Sequence, residues 1–266
     1  MKSASTRHRI PSSRIATMDV YAAGVRRHHV SALLELDVTE SRMKLREMKR
    51  AGRGASFTGW IIKMIADTIG EHPEAAAYLS GKKRLVTFHD INISTMVERE
   101  VDGKKVPLTL VIEKAGEKRI EEISNEITRA REQTLSPNEW VLGSTPRSSV
   151  ALYALMPGFM RRAVWRWIQG HPQLAYRQMG NVMVTSLSML GRTRGWFLVR
   201  TVHPVAFGIG AVSRKPWVVG NEVQIREILQ MTVLIDHDVI DGAPMVRFIN
   251  TLAGRIEKGE GLSNEP

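Results

Sequence analysis

The stretch Val233-Leu-Ile-Asp-His-Asp-Val-Ile-Asp-Gly242 decides the fold, because the hydrophobic period changes across it. Val233, Leu234 and Ile235 read as a short buried strand, and Val239 and Ile240 continue its apolar character beyond the polar Asp236-His237-Asp238. From Ala243 onward Met245, Ile249, Leu252 and Ile256 recur every three or four residues, with Pro244 in the first turn, where its missing N–H does no harm. His237 and Asp241 therefore sit at a strand-to-helix corner. Such corners carry chemistry when a polar side chain must face a cleft while packed apolar neighbours hold it still. Taken alone, the corner reads first as that of a structural histidine, the ordinary place of a lone imidazole. A hard-metal site built from Asp236, His237, Asp238 and Asp241 is the weaker alternative, since strand alternation sends adjacent side chains to opposite faces and the sequence has no second His/Asp cluster. No metal is expected.

Outward from the corner, strands are expected at 182–187, 197–202, 206–212 and 223–235, separated by Gly, Pro and basic turns. Residues 29–38 read as a strand, and Thr39 as the cap of a helix over 40–50. A core helix over 57–70 places Trp60, Ile61, Met64, Ile65 and Ile69 at helical spacing, and His72-Pro73 stops it. Residues 85–97 alternate loosely and read as one strand. A second follows at 106–112 after the turn signal Asp102-Gly103, so the two are expected to form a hairpin with a long connection. Ile120, Ile123, Ile127 and Ala130 mark another helix, closed by Leu135-Ser-Pro-Asn138, and 14–27 is a short amphipathic segment. The sum is an α/β domain (an α+β sandwich), with a mixed sheet and packed helices rather than a doubly wound arrangement.

A chain of 266 residues, 43% of them hydrophobic, can bury one sizeable core. One domain is expected over 14–260, after a mobile basic N-terminus at 1–13 and before a polar tail at 261–266. The chain has no cysteine, which removes disulfides, thiolate nucleophiles and cysteine-bound metals and fits a reducing compartment. The first residues hold no signal-peptide core, and no apolar run reaches the roughly 18 residues of a membrane span. A cytoplasmic protein is the expectation. The net charge is +11, and its placement is informative: no Asp or Glu occurs between Trp140 and Asn221, where nine arginines and Lys215 fall. A solvated basic surface explains this, as would a phosphate-bearing ligand or an acidic partner. Nucleic acid ranks lowest, for lack of any zinc spacing, recognition-helix signature or paired aromatic motif. Within this stretch 157–169 reads as an amphipathic helix, with Phe159, Met160, Ala163, Val164, Trp167 and Ile168 on one face and Arg161, Arg162 and Arg166 on the other. Packing its apolar face on the domain is the default. A lid, a membrane-surface contact or a partner-binding helix are the alternatives.

The pattern His237-Asp-Val-Ile-Asp241-Gly242, followed by Ala243 and a helix, resembles the catalytic signature of the 2-oxo acid dehydrogenase acyltransferases, the dihydrolipoamide acyltransferase catalytic domains related to chloramphenicol acetyltransferase. Further stretches match in order: His29-Val30, Asp37-Val-Thr39, Glu71-His-Pro-Glu74, Asp90-Ile-Asn-Ile93, Leu135-Ser-Pro-Asn138, residues 180–191 and Arg214-Lys-Pro216. The resemblance implies a chloramphenicol acetyltransferase-like fold with its active site between subunits of a trimer. It also implies transfer of an acyl group between coenzyme A and a thiol or other small nucleophile.

In the chemistry this resemblance implies, His237 is the general base that takes the proton of the attacking thiol, a task suited to a neutral imidazole. The family places a hydroxyl on the oxyanion of the tetrahedral intermediate. That position falls on Thr185, with Ser186 beside it. Asp241 would brace the corner through an arginine, with Arg14 as candidate, and Arg214 and Lys215 resemble a strand-end position near the coenzyme. The sequence departs from the family at Asp238, where arginine is usual; this reversal would favour the protonated imidazole or remove an anion contact. It also departs at Ser186 and Ser188 in the oxyanion stretch, and residues 144–179 have no counterpart and read as an insertion. No lipoyl domain or peripheral-subunit-binding domain is seen, so a lipoyl group would arrive on another protein. The tail lacks an apolar hook, and a simple homotrimer is expected. A catalytically idle relative, serving as a scaffold or interaction subunit, is the alternative that Asp238 and the insertion keep open.

Overall fold

The computed structural model describes residues 6, 10, 12–81, 83–101, 104–132, 152–186 and 194–262. In chain order the elements are helix α1 (Ser12–Gly24), strand β1 (His29–Asp37), α2 (Thr39–Arg50), α3 (Phe57–Glu71), a 3-10 turn (Pro73–Ala76), β2 (Tyr78–Ser80), β3 (Arg84–Val86), β4 (Ile93–Val101) and β5 (Lys104–Ile112). There follow α4 (Ile120–Glu132), α5 (Gly158–Gly170), α6 (Pro172–Met179), β6 (Val182–Ser186), β7 (Val205–Val219), β8 (Glu222–Asp236) and α7 (Gly242–Lys258).

Six strands form one sheet in the order β1-β8-β7-β6-β4-β5, and β2 pairs with β3 alone. β6 runs parallel to both β4 and β7, and the remaining pairs are antiparallel. The sheet is therefore mixed, as the sequence indicated. Alternation decides what each strand buries: Val182 and Val184, Val205, Phe207 and Ile209, and Leu229, Met231, Val233 and Ile235 all enter one large core. Leu45 of α2, Ile61 and Ile65 of α3, Ile123 of α4 and Phe248 and Leu252 of α7 close it. A second, smaller core joins α1, α5 and α6 through Ala23, Trp165, Ala175 and Met179 around Tyr78.

Several expectations needed correction. Thr39 is the first residue of α2 rather than its cap; its N–H and hydroxyl both donate to Asp37 Oδ1, at 3.0 and 2.6 Å. The loosely alternating 85–97 divides into β3 and the start of β4, and β4 pairs with β5 as the expected hairpin, but with a short connection. The turn signal Asp102-Gly103 and the segment Leu135-Ser-Pro-Asn138 lie outside the described residues. Residues 197–202 are not a strand. They cross the face of β7 where Gly208 and Gly210 leave room, with Phe197 O and Gly195 O where a side chain would otherwise stand. Arg214-Lys-Pro216 is no turn either: Pro216 pairs with Ile225 inside β7, and the chain reverses at Gly220 (φ 61°) and Asn221. The outcome for α5 is the most consequential. Arg161 and Trp165 face inward, whereas Phe159, Met160 and Trp167 are exposed.

Candidate active site

β8 delivers its last residue, Asp236, into a buried ion pair with Arg27 (Nη1 to Oδ2, 2.7 Å), and the guanidinium also lies 5.7 Å from the centre of the Tyr78 ring. The corner beyond is fixed by backbone hydrogen bonds. The N–H of His237 donates to His28 O (3.0 Å), that of Val239 to Asp236 O (3.1 Å), and that of Asp238 to Asp236 Oδ1 (3.3 Å). Val239 and Ile240 are buried in the large core, while His237 is exposed. The corner thus holds its backbone still and presents the imidazole to solvent.

Asp238, the departure from the family pattern, is engaged elsewhere. Its two carboxylate oxygens lie 3.0 Å from His28 Nδ1, and this hydrogen bond, with the Asp238 charge, raises the His28 pKa. Asp241 precedes α7 with an exposed side chain, and its carbonyl accepts the Met245 N–H. The expected brace between Arg14 and Asp241 is absent among the described residues; Arg27 and Asp236 brace the corner instead, because Arg27 stands directly before β1, whose His29 pairs with Asp236. Asp236 and Asp238 are thereby committed to Arg27 and His28. Among the described residues no group of three or more His, Cys, Asp or Glu side chains converges as a metal site would require.

Thr185 lies on β6, 8% exposed, paired with Gly208 of β7, which pairs in turn with Thr232 of β8. Thr232 is five positions before His237, so within one chain the hydroxyl and the imidazole are offset by about 16 Å along the strands. Thr185 also alternates with Val184 and so points to the sheet face away from the large core. One polar network nevertheless ties the two regions together. The Tyr78 hydroxyl donates to Gly180 O (2.5 Å), and burial pushes that phenol well above its ordinary range. His203 Nε2–H and the Ser94 hydroxyl donate to Met179 O, at 2.9 and 2.5 Å. Gly180 itself has φ 73°, and a Cβ there would stand 2.2 Å from Asn92 O, so only glycine allows this approach to β6.

Arg27, His28, Tyr78 and His203 were not singled out by sequence reasoning. The run Arg27-His-His29 offered one signal, since it abuts the start of β1, but its partner at Asp236 becomes visible only once β1 and β8 are paired.

The arrangement matches known proteins. The family model for the 2-oxoacid dehydrogenases acyltransferase (catalytic domain) covers residues 11–145 and 169–263. The chain belongs to this family. The dihydrolipoyllysine-residue acetyltransferase component of the pyruvate dehydrogenase complex of Corynebacterium glutamicum is 23% identical over 242 residues, 86% of this chain and 30% of that protein. The chain spans under half the length of the curated relatives it matches. Dihydrolipoamide acetyltransferase of Azotobacter vinelandii superposes with a TM-score of 0.67 at 17% identity, covering 97% of this chain and 94% of that one. In that protein a serine, a histidine 52 residues later and an asparagine four residues beyond have been studied for their roles in catalysis. Chloramphenicol acetyltransferase superposes with a TM-score of 0.51 at 11% identity, covering 96% and 99%. The acyltransferase domain thus has the chloramphenicol acetyltransferase-like fold, and the part left unmatched by the family model, 146–168, includes most of α5.

The acyltransferase domain also carries a basic cleft of about 930 Å³. It opens along β7 just past the end of β6: Ser186 pairs with Ile209, and Ala211 to Arg214 line the cleft. Arg42 and Arg46 of α2 pair there with Glu227, at 3.3 and 2.6 Å, whereas Lys49, Arg53, Arg194 and Arg214 have no carboxylate partner among the described residues. Of the pair Arg214 and Lys215, only the arginine lines this cleft. Neighbours on a strand diverge, and Lys215 instead pairs with Glu35 and lies 5.9 Å from the Trp196 ring.

Proposed function

We propose that this domain transfers an acyl group between coenzyme A and a thiol, the dihydrolipoyl group of another protein being the thiol that the names of its relatives suggest. The observation that carries the reading is one of spacing together with geometry. Thr185 and His237 are 52 residues apart and Asp241 follows His237 by four, the separations of the serine, histidine and asparagine studied in the Azotobacter protein. Here the histidine stands exposed on a pinned turn.

In this reading His237 takes the proton of the acceptor thiol as its sulfur attacks the thioester carbonyl. The carbonyl oxygen becomes an oxyanion, which the Thr185 hydroxyl stabilises by donating a hydrogen bond. Collapse of the tetrahedral intermediate breaks the bond to the coenzyme sulfur, and the imidazolium returns the proton to it. The phosphates of coenzyme A suit the four unpaired cations of the cleft, with Arg214 among them, since that cleft begins where β6 ends, close to the level of Thr185. Lys215 is already neutralised by Glu35 and contributes less. Because His237 and Thr185 are far apart within one chain, the reading takes them from neighbouring subunits of a homotrimer, in the cytoplasm. Asp238 does not argue for an idle scaffold in this reading, because its carboxylate is hydrogen-bonded to His28.

The test is thiol release from acetyl-CoA with dihydrolipoamide as acceptor. Replacing His237 by Ala should lower turnover by about 100- to 10,000-fold, the usual contribution of a general base. Unchanged turnover would mean that His237 is not the base.

A further inference from the structure

Helix α5 exposes what an isolated domain ordinarily hides. Phe159 is 66% exposed and Trp167 57%, and Met160 and Ala163 are exposed beside them. At 100° per residue these four side chains span one arc of about 100° on the helix surface. Leu152 and Leu155, in the helical turn just before α5, are 67% and 82% exposed. The opposite side of the helix is locked down: Arg161 Nε donates to Asp19 at 2.8 Å, and Trp165 is buried with its Nε1–H on the Tyr153 hydroxyl. The apolar arc is therefore presented by a helix fixed to α1, not by a loose segment.

Charge selects the occupant. Arg162 and Arg166 border the arc, and with Arg26, in the turn after α1, they line a narrow groove between the two helices. All three are exposed and have no carboxylate partner among the described residues, and Asp19, the acid in that groove, is held by Arg161. No Asp or Glu occurs anywhere between Trp140 and Asn221. A symmetric pairing of this face with a second copy would bring two sets of these arginines into one interface, where the face itself supplies no free carboxylate to meet them among the described residues. A thirteen-residue helix with outward aromatic and Met side chains flanked by arginines, and with two exposed leucines in the turn before it, has the build of one that lies in a lipid–water interface. We propose that α5 docks the protein on an anionic membrane surface, with Phe159 and Trp167 inserted among the acyl chains and Arg26, Arg162 and Arg166 against lipid phosphates. The apolar part of this surface, with Arg162 and Arg166, lies on the segment that the family model leaves unmatched, and the proposal is independent of the acyl-transfer reading.

The full chain is tested by flotation with vesicles of phosphatidylcholine alone and of equal parts phosphatidylcholine and phosphatidylglycerol. It should float with the anionic vesicles at low salt and much less with the neutral ones. The double variant Phe159→Ser with Trp167→Ser should bind at least about tenfold more weakly, and Arg162→Gln with Arg166→Gln should lose binding to the anionic vesicles about tenfold. Both pairs are exposed, so urea unfolding and acyl transfer should match the parent protein. No flotation with either vesicle, or flotation indifferent to both variants, overturns the proposal. So does a change in sedimentation of the double variant without any change in flotation, which would make a second copy the occupant.

Discussion

His203 is the residue where position alone decides chemistry. Its Nε2–H donates to Met179 O, its Nδ1 accepts from the Thr201 hydroxyl at 2.7 Å, and burial pushes its pKa down to about 4, with Arg27 adding to the effect. A histidine depressed in the folded state binds its proton more readily when unfolded, so stability rises with pH between about 4 and 6.5, by on the order of 3 kcal/mol. His28 acts in the opposite sense. Its pKa is raised by Asp238, so its contribution is full below about pH 6.5 and is lost as pH rises through the raised value, but this pair is exposed and screened by solvent. The buried group should win. Urea unfolding across that range should show a midpoint that climbs with pH, and in His203→Gln, which retains a donor for Met179 O, the climb should flatten. A climb of the same steepness in the variant would assign it to other groups. The proposed base, His237, was legible in the sequence because its motif is local. Its surroundings were not: Arg27 meets Asp236 and His28 meets Asp238 across 209 and 210 residues, and no local pattern encodes such a meeting.

Elements were legible where one face is buried and the period is clean. β1, α3, α4 and α7 follow their apolar spacing closely, since each feeds the large core. Misreadings cluster where another interaction overrides the period. The stretch 197–202 has the composition of a strand, but it crosses over glycines of β7, where Phe197 O packs against Gly208, instead of pairing in the sheet. In α5 the spacing of apolar residues is helical, as the chain is, yet the pairing of Arg161 with Asp19 turns part of the apolar face outward. Gly180 shows how one residue can set an element. It brings the chain from α6 into β6 at a φ of 73°, against Asn92 O, while Asn181 N–H donates to the same carbonyl at 3.0 Å. Gly180→Ala should cost about 2 kcal/mol or more, from the left-handed backbone and the contact with Asn92. Urea unfolding measures the loss, and turnover should fall with it because Thr185 sits five residues on. Full stability in the variant would show that the backbone relaxes here at little cost.

At the scale of the whole molecule, the question is how two distant side chains serve one reaction. Register puts Thr185 level with Thr232, about 16 Å along the strands from His237, and a proton acceptor at that distance cannot share a tetrahedral intermediate with the hydroxyl. A site completed between subunits resolves this, and it can be tested without knowing the acyl group used in the cell. His237→Ala and Thr185→Val are prepared separately, each expected to be nearly inactive, and then unfolded and refolded together in equal amounts. If a site takes its histidine from one subunit and its hydroxyl from the next, random mixing rebuilds both groups in about one quarter of sites, and turnover should return to about that fraction of the parent protein. Refolding each variant alone should restore nothing. If both groups act within a single chain, no mixture contains an intact site, and the co-refolded sample stays as inactive as its parts. That outcome would require the strands to move past one another by several residues before catalysis, which the continuous register of β7 with β8 from Val205 to Ile209 and from Val212 to Val219 opposes.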